Sequence, residues 1–143
     1  MRSTKKGLVD GYADWIGQHE WNWFGTLTFK YRPGRRSADN ALKKWLAELK
    51  KSESGPSFRW VRVKELGAFK DNLHFHILVG GLRSSASIVD WEDRWLDLAG
   101  DARICEFEDD KGGVRYLLKT LLPDEDFDFE IELPKKMVDS DAS

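Results

Sequence analysis

The stretch Leu73-His74-Phe75-His76-Ile77-Leu78-Val79 decides how the rest of the chain is interpreted. It has the composition of a buried β-strand, in which successive side chains alternate between the two faces of a sheet. His74 and His76 are therefore expected on one face, while Phe75 points into the core. Two imidazoles on one face suit a divalent metal ion, because neutral imidazole is a common metal ligand. Taken alone, the pattern equally fits two partly exposed strand histidines.

A predicted hairpin brings a carboxylate to the same face. If Leu66 pairs with Leu73 across the hairpin, Glu65 stands opposite His74, and paired residues on neighbouring strands share a face. Glu65, His74 and His76 then form a set of two imidazoles and one carboxylate with coordination positions left open, as a catalytic metal site requires. The alternative for Glu65 is a solvated charge near a strand end.

The same register has one awkward consequence. It places Arg62 and Lys64 on the face that carries Phe75 and Ile77, where apolar residues are expected. We expect a β-bulge, or charges emerging at a sheet edge, to reconcile this placement.

After a short helix at the N-terminal end, hydrophobic periodicity predicts elements in the order β-α-β-β-α-β-α, with a further strand near the C-terminal end. The predicted helices are a short one at 10–20, one capped by Ser37 or Asp39 and ending near Lys51, one capped by Ser87 and ending near Ala99, and one at Val114–Leu122. The predicted strands are Trp23–Phe29, Phe58–Leu66, Leu73–Gly80, Ala102–Phe107 and, at an edge, Phe127–Leu133. This order favours an α+β fold, an antiparallel β-sheet with helices packed on one face and the other face open.

Length and composition narrow the class of protein. The 143 residues, 41% of them hydrophobic, predict one domain over 1–143, with its core at about 20–133 and a flexible tail at 134–143. A net charge of −2 argues against a protein held on duplex DNA mainly by long-range charge, but it does not exclude a local basic groove. No apolar run approaches the roughly 20 residues of a membrane span, and no secretory signal is visible, so we expect a cytoplasmic protein.

The cysteine count limits the chemistry further. The single cysteine, Cys105, excludes an internal disulfide and a cysteine-based zinc site. We expect it to be a small buried residue on a strand.

A tyrosine and a lysine lie on one face of the last predicted helix. Tyr116 and Lys119 are three residues apart, a spacing that makes them neighbours on a helix surface. A free tyrosine is almost entirely protonated at neutral pH, but a neighbouring ammonium group and a metal-polarised phosphate help it to react as a nucleophile. The alternative is an ordinary amphipathic helix.

Together, these motifs resemble the HUH endonucleases, specifically replication initiators (Rep proteins) of the rolling-circle type. The segment Trp23–Phe29 resembles the first motif of that family, and His74-Phe75-His76 its His-hydrophobe-His metal motif. Glu65 falls where such initiators often carry a third ligand, and Tyr116-Leu117-Leu118-Lys119 resembles the Tyr-x-x-Lys motif. The resemblance covers about residues 23–122 and implies the HUH/Rep-like fold, which is related in topology to the RRM.

The order of the motifs separates relatives within that group. Conjugative relaxases carry the tyrosine ahead of the histidine motif, whereas Tyr116 follows it. Transposases of the single-tyrosine type share this order but usually lack the lysine, and they remain an alternative. Tyr12 and Tyr31 are interpreted as packing or surface residues.

The resemblance implies site-specific nicking and rejoining of single-stranded DNA at the origin of a plasmid or virus-like replicon. Mg²⁺ or Mn²⁺ would be held by Glu65, His74 and His76, and Tyr116 would form a 5′-phosphotyrosine intermediate with Lys119 steadying the charge. The expected partners are origin single-stranded DNA and host helicase or replication proteins. The competing function is a single-stranded nucleic-acid-binding module without chemistry, since a sheet with an open face also suits that role.

Candidate DNA contacts come from aromatic and basic residues. The stacking and phosphate-binding candidates are Trp21, Trp23, Trp60, Lys30, Arg32, Arg35 and Arg36. The basic loop at 30–36 is equally well explained as a solvated loop. Three other tryptophans fit helix core faces, namely Trp45, Trp91 and Trp95.

Overall fold

The computed structural model describes residues 11, 14–31, 33–66, 73–107 and 128–132. The strands are β1 (Trp23–Thr28), β2 (Ser54–Leu66), β3 (Leu73–Leu82), β4 (Ala102–Glu106) and β5 (Asp128–Glu132), and the helices are α1 (Arg35–Glu53) and α2 (Ile88–Leu98). Residues 14–17 are also helical. The predicted helix at 114–122 and the predicted hairpin loop at 67–72 lie outside the described residues. No helix in the described part of the chain is long and apolar enough to cross a membrane.

The strands form one sheet in the order β4-β1-β3-β2-β5, and each described pairing is antiparallel. The histidine strand β3 is therefore central, flanked by β1 and β2, and the predicted edge position of β5 is confirmed. The α+β fold predicted from the sequence is also confirmed.

The core lies between the sheet and the two helices. Trp45, Trp91 and Trp95 are at most 2% exposed, as their helical spacing predicts. Their indoles also bind main-chain carbonyls: Trp45 Nε1 donates to the oxygen of Trp91 at 3.0 Å, and Trp95 Nε1 donates to that of Thr28 at 2.8 Å. These bonds tie α1 to α2 and α2 to β1, so the tryptophans fix the position of the helices as well as fill the core.

A close approach of backbone anchors the start of β4 to the end of β1. The amide of Thr28 donates to the carbonyl of Asp101 at 2.8 Å, and that of Lys30 donates to Ala99 at 3.0 Å. Gly100 sits between these bonds, and a Cβ there would clash with the carbonyl oxygen of Thr28. Only glycine leaves room for this contact.

Arg62 and Lys64 lie on the helix face of the sheet, as the predicted register requires, and they are buried there. Both contact Asp39 Oδ1 of α1, at 2.8 Å from Arg62 Nη1 and 3.0 Å from Lys64 Nζ. Their charged groups also lie over the Phe75 ring, at 5.3 and 6.0 Å from its centroid. The expected bulge or sheet edge is therefore wrong here. The cations are tolerated because a carboxylate and an aromatic face compensate their burial.

Two cap predictions have opposite outcomes. The hydroxyl of Ser87 accepts from the amide of Asp90 at 3.3 Å, which confirms the predicted cap of α2. Helix α1 begins at Arg35 after Gly34 with no side-chain cap, so neither Ser37 nor Asp39 caps it. Asp39 instead lies within α1 and binds the two cations.

The boundaries of β2 and the environment of Cys105 also differ from expectation. Strand β2 begins at Ser54 rather than Phe58, because Ser54 already pairs with Leu82 of β3. A register shift separates this pair from the continuous pairing that starts at Arg59. Cys105 is exposed rather than buried. It lies on an edge strand, paired with Phe24, on the face that the helices do not cover.

Candidate metal centre

The two predicted histidines and the carboxylate share the face of the sheet opposite the helices. Glu65 pairs with His74 in the β2–β3 register, as the hairpin argument predicts. Thr28 and Thr26 of β1 pair with His74 and His76 from the other side. The central strand therefore presents both imidazoles between a carboxylate strand and a threonine strand.

This face is more enclosed than the predicted open face. Val61, Val63 and Leu78 alternate with residues of the helix-side core and therefore lie on the histidine face, yet they are only 2–3% exposed. The side chains of His76 and Glu65 are 16% and 34% exposed. The polar residues thus lie beside buried apolar ones, where electrostatic interactions are stronger than in water.

His76 is held on three sides. Its Nε2 lies 2.9 Å from Glu65 Oε2, and its Nδ1 lies 3.3 Å from Thr26 Oγ1. The ring stacks on Phe24 with centroids 6.4 Å apart and an interplanar angle of 13°. These contacts fix the ring orientation before any ligand arrives.

Burial lowers the pKa of His76 below its ordinary value. The carboxylate of Glu65 acts in the opposite direction, and His74 adds to the lowering. The net direction favours the neutral imidazole, which is the form that binds metal ions.

His74 carries a polar atom that the described residues leave unsatisfied. Its Nδ1 is buried without a hydrogen-bond partner, and its ring centroid is 6.4 Å from that of His76. An unpaired buried polar atom is costly and calls for a bound ion, a water or another explanation.

The donor chemistry therefore fits a divalent cation: one carboxylate, one imidazole in contact with it, and a second imidazole with an unmatched nitrogen. Across 14–31, 33–66 and 73–107, however, no three His, Cys, Asp or Glu side chains are already grouped to hold a metal ion. His74 is the member that stands apart from the Glu65–His76 pair. Tyr116 and Lys119 lie outside the described residues.

The sequence model of a known family, the replication-associated protein ORF2 family, matches residues 22–124. The chain belongs to that family. The match covers β1 to β4, and with them Glu65, His74 and His76, and it extends over the positions of Tyr116 and Lys119. Membership supports a role in the replication of a viral or plasmid replicon.

A solved structure is similar in fold to this family member. It is the crystal structure of the hypothetical protein ORF119 from Sulfolobus islandicus rod-shaped virus 1, with a TM-score of 0.50 and 19% sequence identity. The alignment covers 81% of this chain and 92% of that one. At this identity the likeness supports the fold alone. No curated protein matches the chain.

The three tryptophans predicted to stack on DNA bases are buried, which corrects that prediction for this replication-associated protein. Trp23 and Trp60 are each 4% exposed and belong to the core cluster. Trp21 is 8% exposed, donates from Nε1 to the carbonyl of Ile16 at 2.9 Å, and lies beneath the guanidinium of Arg59. Alternation along β1 and β2 directs Trp23 and Trp60 to the helix side, so their rings offer no free face.

The predicted basic contacts have mixed outcomes. Lys30 and Arg36 are exposed. Arg32 and the side chain of Arg35 lie outside the described residues. Lys30 comes two residues after Thr28, which pairs with His74, whereas Arg36 lies in the first turn of α1.

Two residues of the histidine face, Thr26 and Arg103, were not predicted from the sequence as part of the site. Thr26 contacts His76 directly, and Arg103 of β4 pairs with Thr26, which places an exposed guanidinium on the histidine face. Tyr31, beside Lys30, is 84% exposed. If β1 is known to lie beside β3, alternation within β1 puts Thr26 on the face of the histidines. The sequence alone does not show that these two strands are neighbours.

Proposed function

We propose that this replication-associated protein is a site-specific endonuclease and strand-transferase that nicks and rejoins single-stranded DNA at an origin. The observation that carries the proposal is the preformed contact between Glu65 and His76 beside His74, on one face of the sheet. Tyr116 and Lys119 lie within the residues that the family model matches, and they would supply a nucleophile and a cation in the motif order of single-tyrosine initiators.

Glu65, His74 and His76 would hold a divalent cation, Mg²⁺ or Mn²⁺. When bound, this ion would polarise the scissile phosphate and offset its negative charge. Both metals bind mostly oxygen ligands, and of the two Mn²⁺ accepts imidazole more readily. For this reason Mn²⁺ is the better probe.

Tyr116 is the proposed nucleophile. Its phenolic oxygen forms a bond to phosphorus while the bond from phosphorus to the 3′ oxygen breaks, and the proton of the phenol ends on that leaving oxygen. The products are a 5′-phosphotyrosine link and a free 3′-hydroxyl, and the reverse reaction rejoins the strands. Lys119 stabilises the phenolate and the charge on phosphate.

The described surface offers a place for the DNA strand. Arg103 lies on the histidine face with no ion-pair or hydrogen-bond partner among the described residues, so its guanidinium is available to a phosphate. Lys30 and Tyr31 at the end of β1 add a cation and an exposed ring. Single-stranded DNA is commonly bound through such a combination of phosphate contacts and aromatic stacking.

The test is formation of a covalent adduct. The full chain is incubated with a library of single-stranded oligonucleotides and Mn²⁺, and denaturing gels show whether protein remains attached to DNA. We expect an adduct with the wild type, none with Tyr116→Phe, and none with His76→Ala, which should also lose Mn²⁺ affinity.

His19 provides the matched control, because it bonds to the carbonyl of Trp15 and lies outside the candidate site. His19→Ala should keep both the adduct and the Mn²⁺ affinity. If the wild type forms no adduct with any oligonucleotide and behaves like Tyr116→Phe, the enzyme proposal fails. Retained DNA binding in that case would identify a binding module instead.

A further inference from the structure

Both ring nitrogens of His76 already have partners, and this fixes where its proton lies. An ionised carboxylate only accepts hydrogen bonds, so the contact of 2.9 Å between His76 Nε2 and Glu65 Oε2 requires a proton on Nε2. In a neutral imidazole, Nδ1 then carries the lone pair. The hydroxyl of Thr26, 3.3 Å away, must donate to it.

Metal binding requires Nε2 of His76, the nitrogen that faces Glu65, to carry a lone pair instead of a proton. A metal ion needs the lone pair of its ligating nitrogen, so Nε2 must give up its proton before it can bind. The neutral ring then carries its proton on Nδ1. That N–H points at Thr26 and needs an acceptor, since metal-bound histidines almost always donate their other N–H to a partner.

A hydroxyl can serve both arrangements because it donates or accepts by rotating about one bond. Among the described residues, Thr26 alone contacts His76 Nδ1. Thr26 belongs to β1 and stands opposite His76 in the strand register, so the sheet holds the hydroxyl in place whichever way its hydrogen points.

We propose that Thr26 is a positioning residue that supports both tautomers of His76 and thereby allows this histidine to bind a divalent cation. On binding, one Nε2–H bond breaks and one Nδ1–H bond forms, with solvent carrying the proton, and the imidazole is neutral before and after. The inference rests on the proposed metal site. It gives the segment Trp23–Phe29, which contains Thr26, a role at that site.

The test compares Thr26→Val, which keeps the shape and removes the hydroxyl, with Thr26→Ser, which keeps the hydroxyl. Thr28→Val is the matched control, because Thr28 lies two residues along the same strand and its hydroxyl donates to the carbonyl of Asp101 at 3.2 Å rather than to a histidine. Thermal unfolding verifies that each variant is folded.

Two measurements are made on the full chain. Nitrogen-15 NMR of the histidine rings reports the tautomer of His76 with and without Mg²⁺, and titration calorimetry gives the affinity for Mg²⁺ and Mn²⁺. We expect the Nε2–H tautomer in the metal-free wild type and the Nδ1–H tautomer with Mg²⁺. Thr26→Val should weaken metal binding about tenfold, in the range found for partners of metal-bound histidines. Thr26→Ser and Thr28→Val should behave like the wild type.

The outcomes separate the two proposals. Wild-type metal binding with an unchanged affinity in Thr26→Val overturns the role of Thr26 and leaves the metal site standing. A metal-free wild type with the proton on Nδ1 overturns it as well. A wild type that binds neither cation refutes the metal site itself, and the role of Thr26 with it.

Discussion

Replacing Asp39 by Asn tests the most heavily buried charges in the described part of the protein. The change keeps the shape of the side chain and an acceptor oxygen, and it removes the negative charge that both Arg62 and Lys64 contact. These two cations would then remain side by side under α1 with no carboxylate at Asp39 to balance them.

The expected cost follows from the exposure of the three side chains. Removing one partner of a fully buried ion pair costs about 3–5 kcal/mol, whereas an exposed pair contributes about 0.2–1 kcal/mol. The Arg62 and Lys64 side chains are 6% and 7% exposed, but that of Asp39 is 31% exposed. Both cations also keep Phe75 and further interactions. We therefore expect a loss of about 2 kcal/mol in the free energy of unfolding.

The assay is urea unfolding followed by tryptophan fluorescence, with thermal unfolding as a second measure. A chain of 143 residues has an unfolding entropy of about 0.3 kcal/mol/K, so a loss of about 2 kcal/mol lowers Tm by about 7 °C. Asp93→Asn is the control, since Asp93 is exposed on α2, and it should change stability by less than about 0.5 kcal/mol.

The effect should also depend on pH. Burial raises the pKa of Asp39, but the hydrogen bond from Lys64 and the charges of Arg62 and Lys64 outweigh it and hold that pKa below the ordinary value. A carboxyl whose pKa is lowered by folding stabilises the protein fully above the pKa of the unfolded chain, about 3.9, and this contribution is lost as the pH falls through the folded value. The difference between wild type and variant should therefore shrink in strong acid. A loss below about 0.5 kcal/mol at neutral pH, or a loss that persists unchanged in acid, would refute the ion-pair explanation.

Two further variants test the backbone contact at Gly100 and the proposed DNA surface. Gly100→Ala should destabilise the fold by about 3 kcal/mol, because its Cβ would clash with the Thr28 carbonyl. Gly55→Ala is the control and should be tolerated, because its Cβ would meet nothing within 4 Å. Equal stability of the two variants in urea unfolding would contradict the argument. Arg103→Ala should weaken binding to single-stranded DNA and lower the salt dependence of log K by about 0.7, the share of one phosphate contact. Arg94→Ala should leave both unchanged, because Arg94 lies over Trp91 of the helix layer, and an equal salt slope for wild type and Arg103→Ala would rule out the phosphate contact.

Local sequence patterns predicted the arrangement of Glu65, His74 and His76 on the sheet, because one strand and one hairpin sufficed for it. Alternation along β3 separated His74 and His76 from Phe75, and pairing across the hairpin put Glu65 opposite His74. The helical spacing of the core tryptophans was equally informative, because both patterns depend on the fixed geometry of a single element or of adjacent elements.

Other features depended on which elements become neighbours. Aspartate is a residue type that commonly caps helices, which is why the sequence predicted a cap at Asp39. Its contacts with Arg62 and Lys64 form only because α1 packs against β2. Trp23 and Trp60 have aromatic rings that could stack on bases, but the helices cover the face of the sheet on which they lie. Cys105 is exposed because β4 ends the sheet.

For the described residues, the sequence by itself therefore determined the type of each strand and long helix, the shared face of the two histidines and the residue types of the proposed donor set. The tertiary structure decided that β1 lies beside β3, which brings Thr26 to His76 across a separation of 50 residues, and that Arg103 faces Thr26 from the edge strand. Periodicity is a local property of the backbone and can be read from consecutive residues. The order of strands in a sheet is set by long-range packing, which no short stretch of sequence contains.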